Sequence, residues 1–471
     1  MLHGDAPEPL LLRFPAYLSG EADPALQGRR PRALGYAVWA IAVPLLFAEV
    51  GETLIQFTDT ALLGRVGTAE LAAIGPIDAV VDTAIVPVVG LVEAMQIIVA
   101  RRVGQGRERA IGPTFGRALI LVGLVSLVLA VTLRLASGPL ADRLISSPEV
   151  ARSVEDFFRY GAWGIVFFSL NLTYSSLWVG LGRPRILVGA TLLLVGTNLI
   201  LSVGLIFGYL GLPALGIEGA GIGFLGAELV AFAFLSIETA RRLELGGLGL
   251  RRHATEADTS TRVIVRRGAP IGLQALVEAL RWVAFFLVVD RLGEDALAWS
   301  SLVYACYALF LIPSQAFAET AYTMISASLG RREGRGIASL VRAVSWRAFA
   351  ITLPLLAAAA IFPDVVLSVF TDDPKSVSGA GETLRAMAVG MLAVVAAEIA
   401  LAAVFGTGDT DAGLFIEVIM SATLVAWAAL AGLVIGLELP YVWLSLPLAA
   451  GVGLVLAGVW LRTRRWRRVV L

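Results

Sequence analysis

"FAEVGETLIQFTDTALLGRVG", residues 47–67, is mostly apolar and long enough to enter a membrane, yet it contains three acidic residues. Glu49, Glu52, Gln56 and Asp59 follow one another at steps of three, four and three residues. At about 100° per residue, these steps place all four side chains on one face of a helix. A polar stripe on an apolar helix predicts a face directed towards a protein interior or a water-filled cavity.

The composition assigns the whole chain to the all-α membrane proteins. Of 471 residues, 58% are hydrophobic and 16% are charged, and the mean hydropathy is +0.82. Soluble domains are about half apolar and about a quarter charged. Basic and acidic residues balance at 37 each, so we expect the lipid bilayer and no nucleic acid among the partners. The single cysteine, Cys306, and two distant histidines, His3 and His253, predict no disulfide, metal site or cofactor.

Runs of about 20 apolar residues can cross a bilayer as helices, and the sequence predicts twelve of them. The predicted spans run approximately over 36–62, 70–100, 116–136, 157–179, 187–208, 219–240, 269–290, 296–327, 348–370, 383–405, 412–435 and 441–461. Basic residues concentrate in alternate loops, such as "RRVGQGRER" and "GRPR". This bias predicts a multi-pass protein of the inner (plasma) membrane with both termini in the cytoplasm.

The two halves of the chain resemble each other at a constant offset of 226 residues. The identical pairs include rare intramembrane residues: Pro44/Pro270, Glu52/Glu278, Pro87/Pro313, Glu93/Glu319, Gly180/Gly406 and Gly182/Gly408. An internal duplication predicts two six-helix bundles in parallel orientation, an arrangement typical of secondary transporters. The predicted segments are a tail over 1–35, lobes over 36–240 and 269–461, a linker over 241–268 and a basic tail over 462–471.

Polar residues inside the spans are the candidate site residues, because a charged side chain facing lipid is costly. The candidates for the substrate cavity are Glu49, Gln56, Gln274, Arg281, Tyr304, Tyr307 and Gln315. For Arg281, a structural ion pair with Glu278, three residues earlier, is an equal alternative. For Glu52 and Glu278, the alternative is a structural role within each bundle. Asp59 has no basic residue within one turn and has Phe285 as its counterpart in the second half, which favours titration during transport. Pro44 and Pro270 predict either hinges or static kinks.

Several motifs together resemble the multidrug and toxic compound extrusion (MATE) family, in particular its DinF-like branch. They are "TDTALLGRVGTAELAA" (58–73) after Pro44, "RRVGQGR" (101–107), "GLGRPR" (180–185), "NLILSVGLIFGYLGLPALGIEGAGIG" (198–223), "GAPIGLQALVEALRW" (268–282) and "FGTGDTDAG" (405–413). The resemblance covers residues 36–461 and implies twelve helices in two lobes. It also implies export of organic, often cationic, compounds in exchange for inward H⁺ or Na⁺.

The resemblance further implies roles for individual residues. Asp59 matches the protonation site of the family's first span, and Asn198 matches its partner in the fifth span. Pro44 matches the position where the first helix is thought to bend, and Glu278 matches a cation-site glutamate of the seventh span. We therefore expect Asp59, Glu52, Asn198 and Glu278 to be the cation-coupling residues.

Two positions depart from the family pattern. Many members have an acidic residue one turn after the fifth-span asparagine, where this chain has Ser202. Glu52 or Glu49 is the expected substitute. The tenth-span acid of some Na⁺-coupled members falls near Val394, whereas this span has its acid at Glu398. The first departure weakens a two-carboxylate site in the first lobe, and the second weakens the sodium site of the second lobe. We therefore expect proton coupling at Asp59.

The sequence thus predicts an antiporter, acting as a monomer, that exports amphipathic and cationic small organic molecules. A flippase for lipid-linked precursors is the alternative, and it requires a basic cavity for pyrophosphate. An enzyme is not expected, because the chain has no catalytic motif of paired His or Cys, no zinc motif and no serine triad. A major facilitator transporter also has two parallel repeats, but its loop signatures are missing.

Overall fold

The structure, a computed structural model, describes residues 30–243, 261–332, 336–371, 373–463 and 466. The first half of the described chain contains six long helices. They are α1 (Arg30–Leu63), α2 (Thr68–Gln105), α3 (Ile111–Leu144), α4 (Pro148–Gly180), α5 (Arg185–Phe207) and α6 (Ile217–Arg242). Short 3₁₀ turns at Glu108–Ala110 and Tyr209–Gly211 precede α3 and α6.

The second half repeats this pattern with two additional short helices. Its elements are α7 (Thr261–Asp290), α8 (Glu294–Gly330), α9 (Ile337–Ile361), α10 (Pro363–Leu367), α11 (Pro374–Gly406), α12 (Thr410–Ala429), a π turn (Leu430–Ile435), α13 (Leu439–Trp443) and α14 (Ser445–Thr463). Within the described ranges, twelve helical segments are long and apolar enough to cross a membrane, which confirms the predicted number and fold class.

The ninth predicted span, 348–370, is placed too far along the chain. The helix begins at Ile337 and ends at Ile361, and Pro363 starts the short helix α10. Proline disfavours helical geometry at the residue before it, and Phe362 adopts φ −123° and ψ 56°. The residues after this break are apolar, so hydropathy alone extended the span through a real helix end.

Local capping explains where the next helix starts. Asp373 accepts hydrogen bonds from the backbone N–H groups of Lys375 (3.2 Å) and Ser376 (3.0 Å) at the start of α11. The Ser376 hydroxyl donates a further bond at 2.6 Å. These bonds, the Ser376 hydroxyl foremost, hold the pKa of Asp373 below its usual range. Pro374 then occupies the first helical turn, where its missing N–H has no cost.

The chain divides into two compact units. Unit 1 contains residues 1–30 and 43–269, and unit 2 contains residues 31–42 and 270–471. The boundaries therefore fall inside α1 and α7, next to Pro44 and Pro270. The predicted linker 241–268 is helical from Thr261 onwards, and the tails 1–35 and 462–471 lie mostly outside the described residues.

Each unit packs around its second and fourth long helices. In unit 1, α4 packs against α2, α3 and α6, and in unit 2, α11 packs against α8, α9 and α14. A side chain at Gly180 would meet the Gln96 carbonyl and the Val99 side chain of α2 at 3.0–3.1 Å. A side chain at its duplicate, Gly406, would meet the Tyr322 backbone at 2.8 Å and the Ile325 side chain of α8 at 3.2 Å. The equivalent positions, 180 and 406, 96 and 322, and 99 and 325, are each 226 residues apart. The helix contact is therefore duplicated together with the sequence.

Candidate ion and substrate site

Unit 1 contains a cavity of about 230 Å³ between α1, α2, α4, α5 and α6. Five acidic side chains line it: Glu52, Asp59, Asp78, Asp82 and Glu228. Among its described lining residues there is no arginine, lysine or histidine. Apolar side chains such as Ile77, Phe157 and Phe224 form most of the remaining wall. An apolar cavity lined by several acids attracts a cation that also has apolar surface.

Asp59 lies near the C-terminal end of α1, four residues before Leu63, and is half-buried. The polar groups that act on its carboxyl are Asn198 and Ser202 of α5, and Asp78 of α2 acts on it through its charge. The Oδ1 atom is buried and makes no hydrogen bond to the described residues. A buried carboxylate oxygen without a donor is costly to keep ionised, so this group is suited to bind and release a proton.

Glu228 of α6 is the most buried acid of this cavity. Asn171 of α4 donates from Nδ2 to Glu228 Oε2 at 2.7 Å and to the Glu228 backbone carbonyl at 2.9 Å. This pair crosses between two tightly packed helices, and it orients the carboxyl while leaving it in the cavity wall.

Unit 2 also buries acids, but it supplies them with a cation. Arg281 of α7 donates to Glu417 of α12 at 2.6 Å and to Glu278, one turn earlier, at 3.0 Å. The side chains of Arg281 and Glu417 are 5% and 2% exposed. Ser421 donates to Glu417 at 2.9 Å, and Gln274 donates to Glu278 at 3.3 Å. The guanidinium therefore offsets part of the negative charge of this cluster.

Aromatic rings surround the end of that cluster. Trp282 lies 4.7 Å from Tyr304 and 4.9 Å from Tyr307, measured between ring centroids. Phe285, the counterpart of Asp59, is buried and packs against Trp282 (5.6 Å) and Trp443 (5.1 Å). An open groove of about 600 Å³ is lined by Trp282, Val283, Phe286, Leu287, Asp290 and Tyr304.

The predicted residues therefore separate into two groups. Glu52, Gln56, Asp59 and Asn198 line the cavity of unit 1, whereas Gln274, Glu278, Arg281, Tyr304 and Tyr307 belong to unit 2. Glu49 is half-buried on α1 outside the lining, and Gln315 is exposed on α8. Pro44 and Pro270 are buried inside continuous helices.

Sequence reasoning gave little weight to three residues that the structure places in these sites. Glu228 and Glu417 appeared only as isolated intramembrane acids, and Asp78 was interpreted as solvated near the membrane surface. Asp78 is indeed exposed, but it also lines the cavity with Asp59. Glu228 is identified by its hydrogen bond from Asn171, and Glu417 by its ion pair with Arg281. Both contacts join helices that are far apart in sequence, so the sequence alone does not show them.

Comparison with protein families gives one match over most of the chain. The MatE family matches residues 44–203 and again residues 270–431. The two matches begin 226 residues apart, at the two prolines that the internal repeat aligns.

Curated relatives and solved structures agree with this match. The chain is 25% identical over 355 residues to a probable multidrug resistance protein NorM of Neisseria meningitidis, covering 73% of this chain and 75% of the relative. It is 26% identical over 392 residues to the Chromobacterium violaceum protein of the same name, covering 80% and 82%.

Among solved structures, the fold is similar to a multidrug resistance MATE family transporter in an outward-facing conformation, with a TM-score of 0.87, 20% identity and coverage of 96% and 98%. It is also similar to the Vibrio cholerae MATE transporter VcmN in a bent form, with a TM-score of 0.84, 19% identity and coverage of 92% and 98%. At these identities the solved structures establish the fold alone.

Proposed function

This chain belongs to the MatE family of membrane transporters, and we propose that it exports amphipathic organic cations in exchange for inward protons. The names of its NorM relatives support multidrug efflux. The choice of a cationic substrate and of the proton as the coupling ion rests on the residues of this chain.

The observation that carries the proposal is the contrast between the two buried acid clusters. The cavity of unit 1 has five acids and no basic residue among its described lining, whereas Arg281 offsets the acids of unit 2. A cavity wall with several carboxylates favours a cation, and it argues against the pyrophosphate headgroup that a lipid-precursor flippase carries. Asp59 is the coupling residue because its Oδ1 atom lacks a protein donor.

Coupling then follows from competition for one charge. When Asp59 is ionised, it attracts the organic cation; when a proton from the outside binds Asp59, the attraction is lost and the cation is released. Asn198 and Ser202 of α5 are the uncharged polar groups next to this carboxyl. An exported monovalent cation moves the same charge in the opposite direction, so this one-for-one exchange is driven by the pH gradient and not by the membrane potential.

The proposal includes a location and an orientation. The transporter lies in the bacterial inner membrane as a monomer with both termini in the cytoplasm, and it uses no cofactor other than its coupling ion. We keep the DinF-like affiliation as part of this proposal, since the relatives compared above have the name NorM. Pro44 allows α1 to bend when Asp59 changes its protonation state.

The test is export of tetraphenylphosphonium from proteoliposomes under an imposed pH gradient or an imposed Na⁺ gradient. We expect the pH gradient to drive export by the native protein, and Asp59→Asn to reduce it to the rate of protein-free liposomes. Asp142→Asn, at the exposed end of α3, is the matched control and should transport normally.

Two results would contradict the proposal. Undiminished proton-driven export by Asp59→Asn would remove Asp59 from the mechanism. Export that follows only the Na⁺ gradient would replace the proton with Na⁺ as the coupling ion.

A further inference from the structure

Glu228 is a buried acid that the competition at Asp59 does not use. It is 4% exposed, it lines the cavity of unit 1, and Asn171 fixes one of its oxygens. A carboxyl group buried to this degree without a basic partner is rarely retained for structure alone, because keeping it ionised is costly. Its position in the wall of this cavity gives it a route to solvent.

The packing of α5 and α6 places Glu228 at the level of Asn198. A side chain at Gly219 of α6 would meet the backbone of Leu205, and one at Gly223 would meet Ser202. As α6 continues, Gly226 faces Leu201. Because the two helices run in opposite directions, the next turn of α6, which carries Glu228, follows towards Asn198. Glu228 and Asp59 thus border the same part of the cavity.

Unsatisfied polar atoms in the same region indicate a site built for exchangeable protons. Ser202 is fully buried and Asn171 is 8% exposed. Their Oγ and Oδ1 atoms make no hydrogen bond to the described residues, like Oδ1 of Asp59. Each of these atoms can accept a proton donor such as a protonated carboxyl or a water molecule. Buried acceptors usually have partners, so three such atoms next to two acids require an explanation.

The charged groups that line the cavity with Glu228 are all acidic among the described residues. Helix α1 contributes Glu52 and Asp59, and α2 contributes Asp78 and Asp82; of these four, only Asp59 is half-buried and the others are exposed. Helix α5 contributes Asn198, which has no charge, and α4 contributes Asn171. Arg159 of α4 does reach α6, but it pairs with Glu218, ten residues before Glu228.

We propose that Glu228 is a second proton-binding carboxyl of this cavity, so that two protons enter for each monovalent organic cation exported. The proposal rests on the proton-coupled export inferred above. It places the second acid of unit 1 on α6 and not on α1, where Glu52 and Glu49 were the predicted substitutes for Ser202. Asp59 keeps the role of holding the cation, and Glu228 sets the number of protons.

The charge balance makes this stoichiometry measurable. Two protons entering and one monovalent cation leaving move one net positive charge inwards, so export responds to the membrane potential as well as to the pH gradient. If Glu228 cannot bind a proton, one proton exchanges for one cation and no net charge moves. Each net charge changes the attainable gradient by roughly 50-fold per 100 mV.

The experiment measures export of tetraethylammonium, a monovalent organic cation that crosses protein-free bilayers slowly, from proteoliposomes at a fixed pH gradient, with a potassium diffusion potential imposed by valinomycin. A potential of 100 mV, negative on the side that corresponds to the cytoplasm, should raise the steady-state gradient by roughly 50-fold for native protein. Glu228→Gln should still transport but lose this response. Glu238→Gln, on the same helix outside the cavity, is the matched control and should respond like the native protein.

Rescue separates proton binding from a structural role. Ser202→Asp in the Glu228→Gln background restores a carboxyl on the facing helix, and the response to the potential should return. If Glu228→Gln is not monodisperse, Asn171→Leu replaces it as the test. This variant keeps the Glu228 carboxyl but removes its hydrogen-bond donor. The pH dependence of the protons released when the cation binds should then change. A native response in Glu228→Gln, or an unchanged pH dependence in Asn171→Leu, overturns the inference. Failure of native protein to respond to any pH gradient overturns the proposed function instead.

Discussion

At the scale of single residues, the two copies of the duplicated unit have their buried polar and charged residues at different positions. Asp59 corresponds to Phe285 and Asn198 corresponds to Leu424. In the other direction, Arg281 corresponds to Ile55, and its partner Glu417 corresponds to Thr191. Each copy has thus lost, or never acquired, the polar residues of the other. The described lining of the cavity in unit 1 contains acids and no basic residue, whereas the acid cluster of unit 2 contains Arg281.

The ion pair of unit 2 leads to a stability prediction. Arg281→Met leaves Glu417, which is 2% exposed, without its cation, and breaking such a pair by removing one partner costs about 3–5 kcal/mol. We expect a large decrease in the melting temperature in detergent. Lys375→Met removes an exposed partner of Asp295 and should barely change it, because solvent screens that pair.

The comparison of these two variants decides whether the buried pair is structural. Equal melting temperatures would show that Arg281 is dispensable for folding. Arg281 would then belong among the residues that contact substrate, as its position next to the aromatic groove also allows.

Single-residue patterns predicted much of the site of unit 1. The spacing from Glu49 to Asp59 was sufficient to predict a polar face, and Glu52, Gln56 and Asp59 do line one cavity. Glu228 could not be assigned in this way, because its place depends on the close approach of α4, α5 and α6. Arg281 and Glu417 are 136 residues apart, and no local pattern relates them.

At the scale of helices, glycine fixes the closest contacts between elements. The contact between α4 and α2 at Gly180 recurs between α11 and α8 at Gly406. Small residues let membrane helices approach until their backbones touch, and packing of this kind replaces the hydrophobic effect inside a bilayer.

This contact predicts an unequal effect of the same substitution at three glycines. In Gly406→Ala the new methyl group would lie 2.8 Å from the Tyr322 backbone, so the helices must separate, at a cost of about 1–3 kcal/mol. Gly458→Ala on α14 meets no atom within 4 Å and should leave the melting temperature unchanged. Gly180→Ala should fall between them, since its closest contacts are 3.0–3.1 Å. A melting temperature of Gly406→Ala equal to that of Gly458→Ala would disprove this order.

Helix ends were predicted less well than helix positions, for a physical reason. Hydropathy reports where a helix can lie in lipid, whereas capping and proline decide where it ends. The chain after Ile361 stays apolar up to Phe370, so the ninth span was extended past its end at Pro363. The polar ends of α3 and α7 were missed for the opposite reason, because these helices continue beyond their apolar parts.

At the scale of the molecule, the distribution of basic loops predicts the orientation in the membrane. Helix α3 has 34 residues and is about 50 Å long, so its two ends lie on opposite sides of a hydrocarbon core of about 30 Å. Gln105 and Ser146 are exposed just outside these ends. In a Cys306→Ser background, a membrane-impermeant maleimide should label Ser146→Cys in intact cells and Gln105→Cys only after permeabilisation.

Replacing Cys306 provides a background without cysteine, since the chain has no other. The reverse labelling pattern would place both termini outside the cell and would invalidate the direction of transport proposed above.

The duplication itself was fully visible in the sequence, because an offset of 226 residues survives wherever both copies need the same proline or glycine.

The boundaries of the two units have a consequence for the integrity of the chain. Residues 31–42 belong to unit 2, where Trp39 packs edge-on against Phe317 at 5.5 Å, and Gly268 belongs to unit 1, where it lies against the Gly90 backbone. Each half of the polypeptide therefore lends a segment to the other half, as partners do in a domain-swapped dimer. A protease that cuts between residues 243 and 261 would produce two fragments that remain one particle, and neither fragment alone would contain a complete unit.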